Sequence, residues 1–201
     1  ALGCGIFTVA VLICSRARIL SRACNGGGET SPWARIMPLS ESTRVVWFAA
    51  TKRSSSSASG ANAMSIGVSS VASAANATAM GPIAKATAAG ATALGGNATA
   101  GASAAATDSI AIGGQSSVTV AGTSGIAIGK GSVVSASQGI AIGVGNVVSG
   151  ANSIAIGDPN TVSGSNSFAF GDNNTIAGNN AVGIGNTNTV TGNNSFVIGN
   201  N

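Results

Sequence analysis

Short apolar runs recur along the chain from about residue 60 to the end, and each run closes on a glycine. A typical run is Ile126-Ala127-Ile128-Gly129, in which two large apolar residues flank a small one. The ten signature glycines are Gly67, Gly81, Gly95, Gly113, Gly129, Gly143, Gly157, Gly171, Gly185 and Gly199. They follow one another at a constant spacing of fourteen positions, except for two longer intervals, of eighteen and sixteen, that end at Gly113 and Gly129. A fixed period of this kind indicates a repeat architecture.

Each unit has a second half, with another short apolar segment and another turn. Five residues after the signature glycine, the later units carry a β-branched residue: Val134, Val148, Val162, Ile176 and Val190. Alternation with a period of two predicts strands, and the density of Gly, Asn and Thr argues against helix. Two short strands and two turns in one unit predict one coil of a parallel β-solenoid, because each strand can pair with its equivalent about 4.8 Å along the axis. The predicted fold is all-β, with about ten coils over residues 61–201.

The corners of the coil have their own residue preferences. We expect the signature glycine at a turn that requires a positive φ or leaves no room for a Cβ atom. Four equivalent asparagines are predicted to stack in a ladder whose amides bond to one another and to the turns; they are Asn146, Asn160, Asn174 and Asn188. The two long intervals predict insertions within 96–107 and 114–122. Both insertions are expected to project as loops, where specific contacts are often made.

The interior of the coil is predicted from its largest apolar side chains. In one coil these are Ile154, Ile156 and Val162, and burying three such residues contributes roughly 5–9 kcal/mol. Three phenylalanines at the isoleucine positions are likewise predicted to be core: Phe168, Phe170 and Phe196. The row of alanines between the isoleucines is expected to let another surface approach closely. Because so thin a coil is marginally stable, the pattern favours an oligomer. The first coils are rich in alanine and are expected to have weaker cores.

Residues 1–60 differ from the repeats. They hold all three cysteines, both tryptophans and seven of the nine Lys and Arg residues. Cys4, Cys14 and Cys24 are ten residues apart with no histidine, which argues against a zinc site. The apolar run at 6–14 is too short to span a bilayer. We therefore predict a poorly structured leader or linker, ending in a flexible serine-rich joint at 54–59.

The charged residues exclude several functions. The chain has no histidine and five acidic residues, and its charged fraction is 7%. No catalytic, metal or cofactor residue is predicted, because the usual general base and the commonest metal ligand are both absent. The net charge of +4 belongs to the N-terminal segment, so the repeats are not expected to bind nucleic acid. A non-enzymatic role is favoured.

The repeat resembles the YadA-like heads of trimeric autotransporter adhesins. The resemblance rests on Ser153-Ile154-Ala155-Ile156-Gly157 and Ser109-Ile110-Ala111-Ile112-Gly113, and it runs from about residue 62 to the end. It implies a left-handed parallel β-roll, a homotrimer, and display on the outer membrane of a Gram-negative cell. It also implies attachment to extracellular-matrix proteins or host-cell molecules through residues that the sequence does not identify. Without a recognisable stalk or anchor, this segment itself is not expected to insert into a membrane.

Other β-solenoids remain as alternatives. Hexapeptide acyltransferases have longer, three-faced coils and rely on histidine, and calcium-binding repeats need an Asp in each turn. The first disagrees with a unit of fourteen residues and a chain without histidine, and the second with repeats that contain three acidic residues, Asp108, Asp158 and Asp172. An ice-binding solenoid is a more serious alternative, because Thr161, Thr175 and Thr189 recur once per repeat. A passive spacer within a longer adhesin, with no ligand of its own, is the other.

Overall fold

The computed structural model describes residues 56–97 and 99–201, which form twenty β-strands and no helix. The short-strand sheet contains β1 Ser57–Ala58, β3 Val71–Ala72, β5 Lys85–Ala86, β7 Ser103–Ala104, β9 Ser117–Val118, β11 Val133–Val134, β13 Val147–Val148, β15 Thr161–Val162, β17 Thr175–Ile176 and β19 Thr189–Val190. The long-strand sheet contains β2 Met64–Ile66, β4 Thr78–Met80, β6 Thr92–Leu94, β8 Ile110–Ile112, β10 Ile126–Ile128, β12 Ile140–Gly143, β14 Ile154–Asp158, β16 Phe168–Asp172, β18 Val182–Asn186 and β20 Phe196–Asn200. The leader or linker was predicted over residues 1–60, and its part at 1–55, with the cysteines and the apolar run, lies outside the described residues.

Every strand pairs in parallel with the equivalent strand one coil away. Ala127 pairs with Ala141, and Ala141 with Ala155, so signature residues stack on signature residues. The same register holds in the short-strand sheet, where Thr161 pairs with Thr175. This confirms the prediction of an all-β parallel solenoid of about ten coils. Its left-handed sense stays a prediction.

Small residues, and not the isoleucines, fill the long-strand side of the interior. Ala127, Ala141 and Ala155 are fully buried, and they face buried valines of the short-strand sheet such as Val148. The isoleucines on either side of each alanine point outward, because neighbouring residues of a strand face opposite sides. The prediction that Ile154 and Ile156 are core is therefore wrong, whereas Val162 is buried as predicted. Two strands and two tight corners leave an interior wide enough for Val against Ala.

The phenylalanines at isoleucine positions face outward for the same reason. Phe170 is 50% exposed and Phe196 is 66% exposed, so the prediction that they are core is wrong. Phe168 is half-buried. Its ring stacks on that of Phe170, with centroids 6.4 Å apart and planes inclined by 20°. These rings lie on an outer surface.

The serine-rich joint predicted at 54–59 is wrong for Ser57 and Ala58. These two residues form β1 and pair with Val71 and Ala72 of β3, which places the first rung four residues before the predicted boundary at 61. A Ser-Ala pair suits this strand because the inward position of the early coils holds a small residue, as Ala72 does. The serine-rich composition of this segment therefore does not prevent Ser57 and Ala58 from forming a regular strand.

The two insertions lie in opposite corners of the coil. In the first, Gly96 and Gly101 form an antiparallel bridge, and the Asn97 side-chain oxygen accepts hydrogen bonds from the N–H groups of Thr99 and Ala100. The second occupies two successive turns over 119–125, with Val120 at its tip 79% exposed. The predicted range 114–122 began and ended too early. Ser116 sits in a regular corner, where it is buried and its hydroxyl donates to the Gly113 carbonyl at 2.7 Å.

Candidate assembly and adhesion surfaces

The signature glycines form one corner row along the solenoid. Nine of them, from Gly67 to Gly185, have φ between 95° and 128°. Room is also lacking: a Cβ atom added to Gly157 would lie 1.8 Å from the carbonyl oxygen of Gly171 in the next coil. The last of the ten, Gly199, lies in β20. At the first nine positions the positive φ and the close approach of the next coil both favour glycine, whereas Gly199 has open space around it.

A buried asparagine ladder follows the glycine row in the C-terminal coils. The Asn160 amide nitrogen donates to the Gly171 carbonyl at 2.8 Å and to the Asn146 side-chain oxygen at 3.1 Å. The Asn160 side-chain oxygen accepts from the backbone N–H and the amide nitrogen of Asn174, both at 2.9 Å. The pattern continues to Asn188. The predicted ladder is confirmed, and it joins four coils through their corners.

The opposite corner row carries exposed asparagines. Asn152, Asn166 and Asn180 adopt φ between 52° and 55°, a left-handed conformation that Asn tolerates better than most residues. Beside them, the side-chain oxygens of Asn179 and Asn193 each accept a backbone N–H from the preceding coil, at 2.8 Å. In these C-terminal coils the edge is therefore polar, uncharged and regularly spaced, whereas the exposed Asp108 occupies the same row nearer the N-terminus.

The outer surface of the long-strand sheet, called here the apolar face, is lined by two columns of large side chains. Its members in β8 to β18 are Ile110, Ile112, Ile126, Ile128, Ile140, Ile142, Ile154, Ile156, Phe168, Phe170, Val182 and Ile184. All of them are half-exposed or exposed, and the described strands that contact this sheet are its own neighbours and the short-strand sheet behind it. The face thus presents contiguous apolar surface to its surroundings.

The outer surface of the short-strand sheet, called here the hydroxyl face, has a different chemistry. Thr161, Thr175 and Thr189 are exposed, in register, and stacked along the axis. Towards the N-terminus the same column continues with Val147 and Val133. The face is mostly Ser and Thr, so it is suited to water and to polar partners.

Charge is sparse on the described residues. They contain two lysines, Lys85 and Lys130, and three aspartates, Asp108, Asp158 and Asp172. Asp158 and Asp172 are paired on neighbouring strands. Among the residues described, no group of His, Cys, Asp and Glu could hold a metal ion. Nor does that part of the chain contain a helix that could span a bilayer.

The family described as YadA head domain repeat (2 copies) matches residues 58–82, 72–98, 121–146, 149–174 and 177–201. These matches cover more than half of the chain, and their repeats coincide with the solenoid coils. The chain belongs to the YadA head repeat family. No curated protein matches this YadA-type head. The family matches omit 99–120, the part that contains the end of the first insertion and the start of the second. The head is a regular β-solenoid that carries an apolar face and polar outer surfaces, and this agrees with an adhesin-type domain.

The apolar face is the feature that sequence reasoning misplaced. The alanine row was expected to meet another surface, but the alanines are buried and the isoleucines are the side chains that face outward. One signal was present in the sequence: β-branched residues at the Val148 position already supply one large inward side chain per coil. With that space filled, the narrow interior had room for alanine alone on the other side.

Proposed function

We propose that this head is displayed on a bacterial surface and attaches the cell to host cells or extracellular matrix as a homotrimer. The observation that carries the proposal is the apolar face, whose two columns continue over six successive coils. Contiguous exposed apolar patches of this kind mark protein interaction sites. If the apolar face is buried between the chains, the surface that stays exposed to solvent is polar, nearly uncharged and repeated in each coil.

A second copy of the chain is the partner that matches this face best. The columns repeat once per coil, so a partner with the same rise can bury side chains at every rung. Closed assemblies of identical chains are the commonest soluble oligomers. The number three comes from the family, whose heads are trimeric.

The assembly is tested by the mass of the particle in solution, which we expect to be three times the 19.0 kDa chain mass. Ile142 and Val147 give a matched pair of variants, because each is 37% exposed but they lie on opposite faces. Ile142→Asn on the apolar face should dissociate the particle. Val147→Asn on the hydroxyl face should leave it intact. A monomeric parent protein, or equal effects of the two variants, would refute the trimer.

Adhesion is assigned to the polar outer surfaces and to the second insertion. Val120 supports this assignment, since it is almost fully exposed at the tip of a turn on an otherwise polar edge. Single uncharged contacts are weak, and three linked copies raise the apparent affinity by 10²–10⁴ through avidity, on the order of what linked sites achieve. Attachment should therefore depend on assembly.

The attachment test uses labelled protein on the matrix that cultured fibroblasts leave after gentle cell removal. We expect the parent to bind and Ile142→Asn to bind at least tenfold less, with Val147→Asn as the folded, assembled control. Val120→Ser should also reduce binding without changing the particle mass. An assembled parent that binds neither matrix nor whole cells would support a passive spacer instead.

Ice binding is the second candidate, supported by the in-register threonines at 161, 175 and 189. The regular column covers three coils and then changes to Val147 and Val133. Its neighbours Ser163, Ala177 and Thr191 are mixed. A flat threonine array is therefore incomplete, and measurable thermal hysteresis of the purified protein would be needed to favour this function.

A further inference from the structure

The interior of the solenoid changes composition along its axis. The inward residues of the short-strand sheet are alanine in the first four coils (Ala58, Ala72, Ala86 and Ala104) and larger in the next six (Val118, Val134, Val148, Val162, Ile176 and Val190). The facing residues of the long-strand sheet are small in both parts, such as Ala79 and Ala141. The N-terminal coils therefore bury less apolar surface per rung, and apolar burial is the main favourable contribution to folding.

The buried corner row changes in the same direction. From Asn146 to Asn188, each corner side chain bonds to the next coil. The equivalent positions near the N-terminus include Ala84 and Ala102, which have no polar side chain to offer. Those coils lack the corner bonds that tie the later coils together.

Strand length and outer-face chemistry agree with this gradient. β4 pairs with β6 over three residues, whereas β16 pairs with β18 over five. On the outer surface of the long-strand sheet, Thr78 and Thr92 stand where the later coils have isoleucine or phenylalanine. The larger inward residues, the corner hydrogen bonds and the longer strand pairing all favour the C-terminal coils as the more strongly held.

We infer that the head is a directional rod: its coils from 140 to 190 fold first and hold, and its coils from 57 to 104 add to that preformed edge and open first. In a solenoid each rung contacts its neighbours, so stability is a sum of rung and interface contributions and folding propagates along the stack. A weak rung gains its strand pairing and its packing from the strong rung beside it. The inference is independent of the adhesive role.

Hydrogen exchange of the whole protein, followed by mass spectrometry, tests this gradient. The N–H groups of Val71 and Lys85 donate to the next coil at 2.8 Å, and so do those of Val147 and Thr161. Because these hydrogen bonds are equal in length, a difference in protection reports a difference in opening. We expect the first pair to exchange at least tenfold faster than the second. Equal rates, or faster exchange at Val147 and Thr161, would overturn the inference.

Two variants test whether the N-terminal coils depend on the C-terminal coils or are only less stable than they are. Ala86→Val gives an early coil the inward residue that Val148 provides later, and it should slow exchange in the N-terminal coils alone. Val162→Ala should speed exchange at least tenfold at Thr161 and should also speed it in the N-terminal coils, which depend on that edge. An effect of Val162→Ala confined to its own coils would contradict directional folding. Should Ala86→Val fail to fold, the parent protein and Val162→Ala still decide the question.

Discussion

The Cδ1 methyl group of Ile176 fills the space above Gly183, where a Cβ atom added to the glycine would lie 2.3 Å from it. In the coils before them, the same two positions hold a valine and an alanine, as with Val148 and Ala155. The larger residue on one sheet is therefore matched by a smaller one on the other. The side chains of Ile176 and Gly183 together therefore have about the same volume as those of a Val-Ala pair such as Val148 and Ala155.

This pair gives the first prediction. Gly183→Ala alone should overpack the coil and lower the free energy of unfolding by about 1 kcal/mol, at the low end of such costs. In an Ile176→Val background the same change should raise it by about 0.5 kcal/mol, because a strand glycine loses more entropy on folding than alanine. Urea unfolding of the four proteins measures the coupling. As a control, Gly183→Ala combined with the distant Val118→Ala should be additive, and additivity within the Ile176 pair would disprove direct packing.

The asparagine ladder predicts a large effect from one atom exchange. Asn160→Asp keeps the shape but replaces the amide donor that faces the carbonyl of Gly171 and the side-chain oxygen of Asn146. A buried carboxylate would then face three acceptors, since the amide also donates to the Ile156 carbonyl, so unfolding should be easier by about 2–4 kcal/mol. The deficit should shrink as the pH falls towards about 4, because burial beside acceptor oxygens raises the pKa of the new carboxyl and it is protonated in the folded state before it is in the unfolded chain.

Asn173→Asp is the matched control for the ladder. Asn173 lies next to the row, is exposed, and has φ of 57°, which aspartate also tolerates. The change should alter the free energy of unfolding, measured with urea, by less than about 0.5 kcal/mol. If both substitutions cost the same, the ladder has no special role in stability.

The glycine corners differ in why they require glycine. Gly157→Ala should prevent stable stacking, because its Cβ would lie 1.8 Å from a backbone carbonyl oxygen that cannot move without its coil. Gly131 has a positive φ of 69° but open space around it. Gly131→Asn should therefore fold with a melting temperature close to that of the parent, as measured by circular dichroism. A well-folded Gly157→Ala protein would show that the coils can separate more than the structure indicates.

The sparse charge predicts weak dependence on salt. The described residues carry five charged side chains, and screening acts on exposed charges over a Debye length of about 10 Å at 0.1 M salt. Between low and moderate salt the particle mass should stay the same and matrix attachment should change less than about threefold if polar and apolar contacts dominate, whereas charge-driven binding falls steeply with ionic strength. Lys130→Ala should leave both measurements unchanged. A steep fall would assign adhesion to charge.

The period of the sequence predicted the strand register, and the register in turn predicted which residues of neighbouring coils lie side by side. Once Asn160 and Asn174 were aligned one period apart, their stacking followed, because parallel pairing at that offset brings equivalent corners together. The direction that Ile154 faces did not follow. Ile-Ala-Ile alternates correctly with either residue type inside, and the choice depends on an interior width that the two corners set together.

The second insertion shows the same limit and gives the last prediction. The interval before Gly129 is two residues longer than the period, but the sequence does not show which corner contains the two extra residues. The structure places them in the turns over 119–125. Deleting Val120 and Ala121 should restore the common period and leave the folded particle intact, because both residues are exposed. Deleting Gln115 and Ser116 removes the same number of residues but also a buried hydroxyl that bonds to Gly113. The second deletion should lower the melting temperature and disturb assembly, as circular dichroism and native mass measure. Equal tolerance of the two deletions would contradict the placement of the extra residues in the later turns.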